Sequence, residues 1–121
     1  MAENESAPKS VTIIRRSLLS ASVAGGRCVS RVEVKQIDLQ LGQCTGYHLH
    51  AIPVIGFIAR GSIRFQIEGA PVQILPAGSA FFEPTNARVR HFDNASDQEP
   101  ATFIAYYLLG EHDEQLIEML E

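Results

Sequence analysis

The chain has 121 residues, a formal net charge of -4 and a pI near 5.5. This length fits one domain with a buried core, and the acidic balance argues against a general affinity for nucleic acid or for anionic membranes. No apolar run approaches the roughly 18 residues that a membrane-spanning helix needs, so we expect no transmembrane segment.

The first part of the chain contains few regular patterns. Residues 1–10 are polar and predict a flexible arm. Residues 11–14 are β-branched and predict a strand, whereas 17–24 fit either a short helix or a loop. Residues 27–41 carry apolar side chains at two-residue steps, with a slip in phase near Lys35 that predicts a bulged strand.

Several short strands separated by turn residues follow. We predict strands beginning near Tyr47 and over residues 54–59, 63–67, 72–75, 79–83, 87–92 and 101–109. The turn at Gly61 predicts a hairpin between the second and third of these. Many short strands and little helix favour a β-sandwich or small barrel over residues 11–110.

The last residues, 111–121, are acidic and carry Leu116, Ile117 and Leu120 three or four positions apart. This spacing predicts a short amphipathic helix. The alternative is a frayed acidic tail, because helices of this length are marginal unless they dock.

Two histidines separated by one residue, His48 and His50, are the most chemically suggestive feature. In an extended backbone both side chains lie on the same face, where they can bind one metal ion. The alternative is that they are two polar residues on a solvated strand face.

The spacing around these histidines resembles the first motif of the cupin superfamily: glycine, five residues, H-x-H, three or four residues, glutamate, six residues, glycine. Gly42, the histidine pair and Gly61 match this motif, but Val54 stands at the glutamate position. The resemblance covers roughly residues 37–109.

The stretch from Gly78 resembles the second cupin motif: glycine, five residues, P-x-G, two residues, histidine, three residues, asparagine. Pro84 matches, Asn86 replaces the glycine, and Val89 stands at the histidine position. Asparagine tolerates the left-handed backbone that such a turn needs.

The cupin resemblance implies an all-β double-stranded β-helix, or jelly-roll barrel, with a site for a small molecule or metal in its interior. It also implies a homodimer. Only two of the four typical metal ligands remain, His48 and His50, because Val54 and Val89 cannot coordinate. An iron, manganese, nickel, copper or zinc ion is therefore expected to bind weakly or not at all.

Three other residues are candidates to complete the ligand set. His91 lies two positions beyond Val89 and is the possible third ligand, although a rim position is the alternative. Glu83 and Asp93 are candidate carboxylates, each with the alternative of a solvated acid.

Further residues are candidates for the pocket. Val54, Gly56, Val89 and Tyr106 are expected to line it, with Gly56 leaving room for a ligand. Cys44 is expected either at the barrel mouth as a thiolate or as a small buried residue. Arg88 and Arg90 are candidates to meet an anionic ligand, with exposed strand positions as the alternative.

These patterns predict a cupin that binds a small molecule beside a degenerate metal site. The alternative is a metal-dependent oxygenase or isomerase, and a purely structural domain is the third possibility. Cys28 and Cys44 match no common zinc pattern, so reduced thiols in a cytoplasm are expected.

Overall fold

The computed structural model describes residues 12–121, whose regular structure is entirely β. The strands are β1 (Arg31–Leu39), β2 (His48–Leu49), β3 (Val54–Arg60), β4 (Ser62–Ile67), β5 (Gln73–Pro76), β6 (Ala80–Glu83), β7 (Val89–Asn94), β8 (Ala101–Leu109) and β9 (Glu118–Met119). The all-β prediction is confirmed. Nothing between residues 12 and 121 forms a helix that is long and apolar enough to span a membrane.

The strands form two antiparallel sheets. The first sheet has the order β1-β8-β3-β6, and the second has the order β5-β4-β7-β2-β9. Apolar side chains from both sheets form one core, because alternate residues of each strand point inward. In β8, for example, the odd-numbered residues from Ala101 to Leu109 are buried and the even-numbered ones are partly exposed.

The predicted hairpin at Gly61 is wrong, because β3 and β4 belong to different sheets. The chain crosses between the sheets at Gly61, which has a φ of 78°. A Cβ there would lie 2.7 Å from the Pro100 carbonyl oxygen, so the crossing requires glycine. The hairpin of this region joins β4 to β5 instead.

The predicted slip near Lys35 is also wrong, because β1 pairs with β8 without a register shift. Its apolar residues lie on two faces: Val32 and Val34 are exposed, whereas Ile37 and Leu39 lie on the core side. The change of phase in the sequence therefore marks a change of face rather than a bulge.

The strand predicted over residues 11–14 is wrong for the part that the structure describes. Residues 12–14 belong to no strand, and residues 17–24 form no helix, which fits the loop alternative. Val11 and the predicted arm at 1–10 lie outside the described residues. By contrast, the left-handed conformation predicted for Asn86 is confirmed by its φ of 63°.

The predicted C-terminal helix is wrong. Residues 118–119 form β9, which pairs with β2 at the edge of the second sheet. The Leu120 amide donates a hydrogen bond to the Tyr47 carbonyl, and Leu116 packs against the core. Pairing with the open edge of β2 satisfies backbone groups that a marginal helix of this length would leave frayed.

Candidate metal centre

The two histidines lie at adjacent positions of the interior. His48 belongs to β2, where it stands between Val89 of β7 and Met119 of β9. His50 follows β2 directly. Both are buried, with 3% and 5% of their surface exposed, so the solvated-face alternative is wrong.

Glu83 joins them from the other sheet. It is the last residue of β6, lies on the same face of that strand as buried Phe81, and is only 3% exposed. The expectation of a solvated acid is therefore wrong. Its cross-strand partner is Val54, the residue at the position where the resemblance placed a glutamate. The Cβ atoms of two directly opposed residues are about 5 Å apart. A carboxylate at position 83 therefore reaches the same part of the interior as a carboxylate at position 54 would.

The ligand atoms of these three residues converge. Glu83 Oε1 lies 2.8 Å from His50 Nε2 and 4.0 Å from His48 Nε2. The imidazole rings of the two histidines are 5.0 Å apart and nearly perpendicular. Within residues 12–121 this is the only group of three such side chains close enough to share an ion.

Backbone carbonyls orient both imidazole rings. Nδ1 of His48 lies 2.6 Å from the Gly46 carbonyl oxygen, and Nδ1 of His50 lies 2.6 Å from that of Leu116. A carbonyl can only accept, so each Nδ1 carries the donated hydrogen. Both Nε2 atoms are thereby directed at Glu83, which is the orientation that carbonyl partners give to metal-binding histidines.

The pKa of His50 is raised above its ordinary value. Burial lowers it, but the hydrogen bond and negative charge of Glu83, together with the Leu116 carbonyl, outweigh that effect. His50 has two acceptors, Leu116 and Glu83, and neutral imidazole has only one hydrogen to donate. A positive charge between His50 Nε2 and the Glu83 carboxylate, either a proton on Nε2 or a metal ion, therefore stabilises this arrangement.

The donor set fits a transition metal. Ligands that each lie about 2.0–2.2 Å from one ion are at most about 4.4 Å apart, and the distances from Glu83 Oε1 to the two Nε2 atoms are within that limit. Two imidazoles and one carboxylate are the ligands of non-haem iron sites and of some catalytic zinc sites, which leave positions open.

A cavity of about 150 Å³ adjoins the three side chains. Its other lining residues are Ile37, Thr45, Val54, Phe81, Phe92, Phe103, Ala105, Tyr107 and Ile117. The Thr45 hydroxyl is buried and has no hydrogen-bond partner among the residues that the structure describes. A hydroxyl in that state has a destabilising cost that a bound molecule would relieve.

His91 lies outside this group. The register of β7 against β4 shifts between Gln66 and Ile67, so Arg90 is the extra residue of a bulge. A bulge inverts the alternation beyond it, which leaves Val89 and Phe92 inward and turns His91 outward. There its Nδ1 lies 2.8 Å from Asp93, with 37% of the side chain exposed.

Asp93 and Cys44 also lie elsewhere. Asp93 is 5% exposed and hydrogen-bonded to His91, so it is not the predicted solvated acid. Cys44 is exposed, contrary to the buried alternative. Nearby protein atoms partly desolvate the thiol and raise its pKa, and the Asp93 carboxylate raises the pKa further, which is opposite to the predicted thiolate.

Two residues predicted to line the pocket, Gly56 and Tyr106, do not line the cavity beside the histidines. The space beside Gly56 is filled, since a Cβ there would lie 2.7 Å from the Phe81 ring and would collide with the Ile104 carbonyl. It leaves no room for a ligand on the core side of Gly56. Tyr106 points outward from β8, and the alternation of that strand brings Tyr107 to the cavity instead.

The remaining candidates divide between core and surface. Val54 lines the cavity, and Val89 is fully buried beside His48. Arg88 and Arg90 are exposed. The guanidinium of Arg90 lies 4.5 Å from the centre of the Tyr47 ring, and the Tyr47 hydroxyl donates to Glu68 on the outer surface.

Sequence reasoning undervalued Glu83, although a signal for it exists. It shares strand parity with Phe81, so a regular β6 puts its carboxylate on the core face. The same parity along β8 identifies Tyr107 from Phe103 and Ala105. No sequence pattern identifies the Gly46 and Leu116 carbonyls, because every residue carries one.

Comparison with known proteins gives structural matches only. No protein-family model matches the chain, and no curated protein matches it. A cupin-like protein from Thermotoga maritima is similar over 74% of this chain and 64% of its own, with 25% identity and a TM-score of 0.63. An oxalate oxidase in complex with glycolate matches 73% of this chain with 18% identity and a TM-score of 0.62.

A third match is the DMSP lyase of Ruegeria pomeroyi, which covers 73% of this chain with 22% identity and a TM-score of 0.58. The chain spans 45% of the oxalate oxidase and 42% of the lyase. It therefore corresponds to less than half of either protein.

Proposed function

Because the chain has the cupin fold, we propose that it binds a divalent transition metal through His48, His50 and Glu83 and holds a small organic molecule in the adjoining cavity. The observation that carries the proposal is the convergence of two oriented Nε2 atoms on one buried carboxylate. The expectation of a weak or absent metal assumed that no carboxylate was present, and Glu83 removes that assumption.

The metal would be iron or zinc by ligand type, with manganese, nickel and copper as further candidates. The carboxylate offsets one unit of the ion's charge, and the apolar lining keeps the site dry. When bound, the ion supplies Lewis-acid chemistry toward a ligand oxygen. The chain's own residues orient the ligand and exclude water around it.

The bound molecule is small and partly apolar. A cavity of 150 Å³ is the size that holds one benzene ring. Three phenylalanines offer an apolar wall, whereas Thr45 and Tyr107 offer hydroxyl groups. Among the residues that the structure describes, no lysine or arginine lines the cavity, so an acidic ligand would rely on the metal for its counter-charge.

A metal-dependent enzyme is the second candidate. Three protein ligands leave coordination positions open for a substrate, as catalytic sites do and closed structural sites do not. The cupin structures that are similar in fold include an oxalate oxidase and a DMSP lyase. The oxalate oxidase is in complex with glycolate, which makes small organic acids the first compounds to assay.

Metal analysis tests the proposal directly. Protein purified without a histidine tag should bind one Zn²⁺ or Fe²⁺ per chain, and His50→Ala should abolish binding. His91→Ala is the matched control, since His91 lies outside the group, and it should bind normally. Less than about a tenth of an equivalent in the wild type, even after added metal, contradicts the proposal.

A thermal-shift screen tests the ligand. Metal-loaded protein is mixed with small carboxylic acids, phenols and sugars, and a binder at 100 times its dissociation constant should stabilise the fold by about 2.7 kcal/mol. If stabilisation requires the metal, the compound binds at the open coordination positions of the ion. Equal stabilisation of metal-free protein places it on the apolar wall alone.

We also propose a homodimer in a cytoplasm. Between residues 12 and 121 no strand pairs with the outer edge of β1, and its Val32 and Val34 are exposed. Both features support association, because an edge strand with apolar neighbours favours pairing with another copy. The two exposed cysteines are consistent with a reducing compartment.

A further inference from the structure

The segment from Leu116 to Leu120, here called the strap, contacts the metal centre without supplying a ligand. Its Leu116 carbonyl lies 2.6 Å from Nδ1 of His50, and Ile117 lines the cavity. Residues Glu118 and Met119 pair with β2, the strand that carries His48. We propose that the strap is a positioning element of this centre, with Leu116 as its positioning residue; this rests on the proposed metal binding.

The Leu116 carbonyl restricts the rotation of the His50 ring. An imidazole ring on a short loop after β2 can rotate about its side-chain torsions, and only one orientation directs Nε2 to Glu83. The Leu116 carbonyl holds that orientation from the opposite side of the ring. Outer partners of this kind typically change metal affinity by about 10–100-fold when they are lost.

Contacts on both sides of the strap fix the position of the Leu116 carbonyl. The Leu116 side chain packs against the core, and the Leu120 amide donates to the Tyr47 carbonyl. Between them, Met119 lies over Gly46, since a Cβ on Gly46 would be 2.7 Å from the Met119 methyl carbon. The Gly46 carbonyl in turn accepts from His48. The strap therefore contacts the supports of both histidines.

The strap depends on side-chain packing more than on its strand pairing. β9 has two residues, lies at the edge of its sheet and is exposed. Such edge pairing contributes little by itself, so the packing of Leu116 holds the carbonyl in place. A charged residue at 116 would be expelled from the core and would withdraw the carbonyl, whereas methionine would keep the packing volume.

The experiment compares variants of the 121-residue chain by Zn²⁺ competition with a chromogenic chelator and by the absorption spectrum of the Co²⁺-loaded protein. Leu116→Asp should weaken Zn²⁺ binding by about 10–100-fold and alter the Co²⁺ spectrum. Leu116→Met should keep the Zn²⁺ affinity and the Co²⁺ spectrum of the wild type. Ile74→Asp, the same charge change at an exposed site on β5, is the matched control and should change neither.

Nitrogen-15 NMR of the metal-free protein separates this inference from the proposed function. The Nδ1–H of His50 should be protected from exchange with solvent in the wild type. Its signal should be lost in Leu116→Asp, while the Nδ1–H signal of His48 should persist. If the wild type binds no metal, the proposed function fails and this signal still tests the strap.

Two results overturn the proposal: Leu116→Asp binding Zn²⁺ within twofold of the wild type, or no protected Nδ1–H on His50. If Leu116→Asp does not fold, Leu120→Pro decides, because it removes the donor to Tyr47. It should weaken Zn²⁺ binding by a smaller factor, and unchanged affinity would overturn the proposal equally.

Discussion

Replacing Glu83 by glutamine tests the centre most sharply, because the amide keeps the shape of the side chain and removes its charge. Glu83 is 3% exposed, and its Oε1 lies 2.8 Å from His50 Nε2. A hydrogen bond to a charged group is worth about 1.5–3 kcal/mol, which corresponds to about 10–150-fold in affinity. As a direct ligand, Glu83 should contribute at the upper end, so Glu83→Gln should bind Zn²⁺ at least about 100-fold more weakly.

The assay is chelator competition at constant pH, with Glu68→Gln as the control. Glu68 is an exposed carboxylate that accepts a hydrogen bond from Tyr47 on the outer surface, so its loss should leave Zn²⁺ affinity unchanged. Zn²⁺ binding by Glu83→Gln within threefold of the wild type would refute the assignment of Glu83 as a ligand.

A cross-strand exchange extends the same test. Val54 and Glu83 are directly opposed between β3 and β6, so the carboxylate of Val54→Glu should reach the same space. Glu83→Val alone should lose Zn²⁺ binding, and the double variant Val54→Glu/Glu83→Val should recover most of it. No recovery in a folded double variant would show that the position of the carboxylate is more restricted than the register implies.

The remaining predictions concern pH, the ligand, packing and assembly. Metal must displace the proton from His50, whose pKa is raised, so Zn²⁺ affinity should fall by up to about tenfold per pH unit below that pKa; pH-independent affinity from 5 to 8 would contradict this. In metal-free protein the same raised pKa stabilises the fold below about pH 6.5, and urea titrations should show that contribution lost as pH rises through the folded value. Thr45→Val should weaken a hydroxyl-binding ligand found in the screen by about 10-fold without changing Zn²⁺ affinity, as measured by calorimetry. Gly56→Ala should destabilise the fold by about 1–3 kcal/mol in urea unfolding, because its Cβ would meet Phe81 and the Ile104 carbonyl; an unchanged midpoint would contradict the packing described. Sedimentation should give a dimer of twice 13.3 kDa, and Val34→Lys should shift it toward monomer.

Sequence patterns predicted the strands well because alternation and turn residues are local properties. They failed where the outcome depends on pairing across the molecule. The turn at Gly61 has the composition of a hairpin, but the two strands that it joins pair in different sheets. The residues 116–120 have helical spacing, but the open edge of β2 offers backbone partners that a helix in isolation lacks.

The site shows the same division. The histidine pair was predictable from its spacing, since both residues lie in one short extended stretch. Glu83 was undervalued because it arrives from the opposite sheet, and His91 was overvalued because a bulge at Arg90 inverts its direction. A bulge depends on the register between two strands, which the sequence of one strand does not determine.

The aromatic wall of the cavity has a consequence for how such a protein can change. Phe81, Phe92 and Phe103 contact one another, with ring centres 4.6–6.0 Å apart, and all three line the cavity beside the histidines. The metal ligands are other residues, His48, His50 and Glu83, so these rings set the volume of the cavity without supplying a ligand. Replacing one of these phenylalanines by a smaller apolar residue should therefore make room for a larger bound molecule, while the three metal-binding residues remain unchanged.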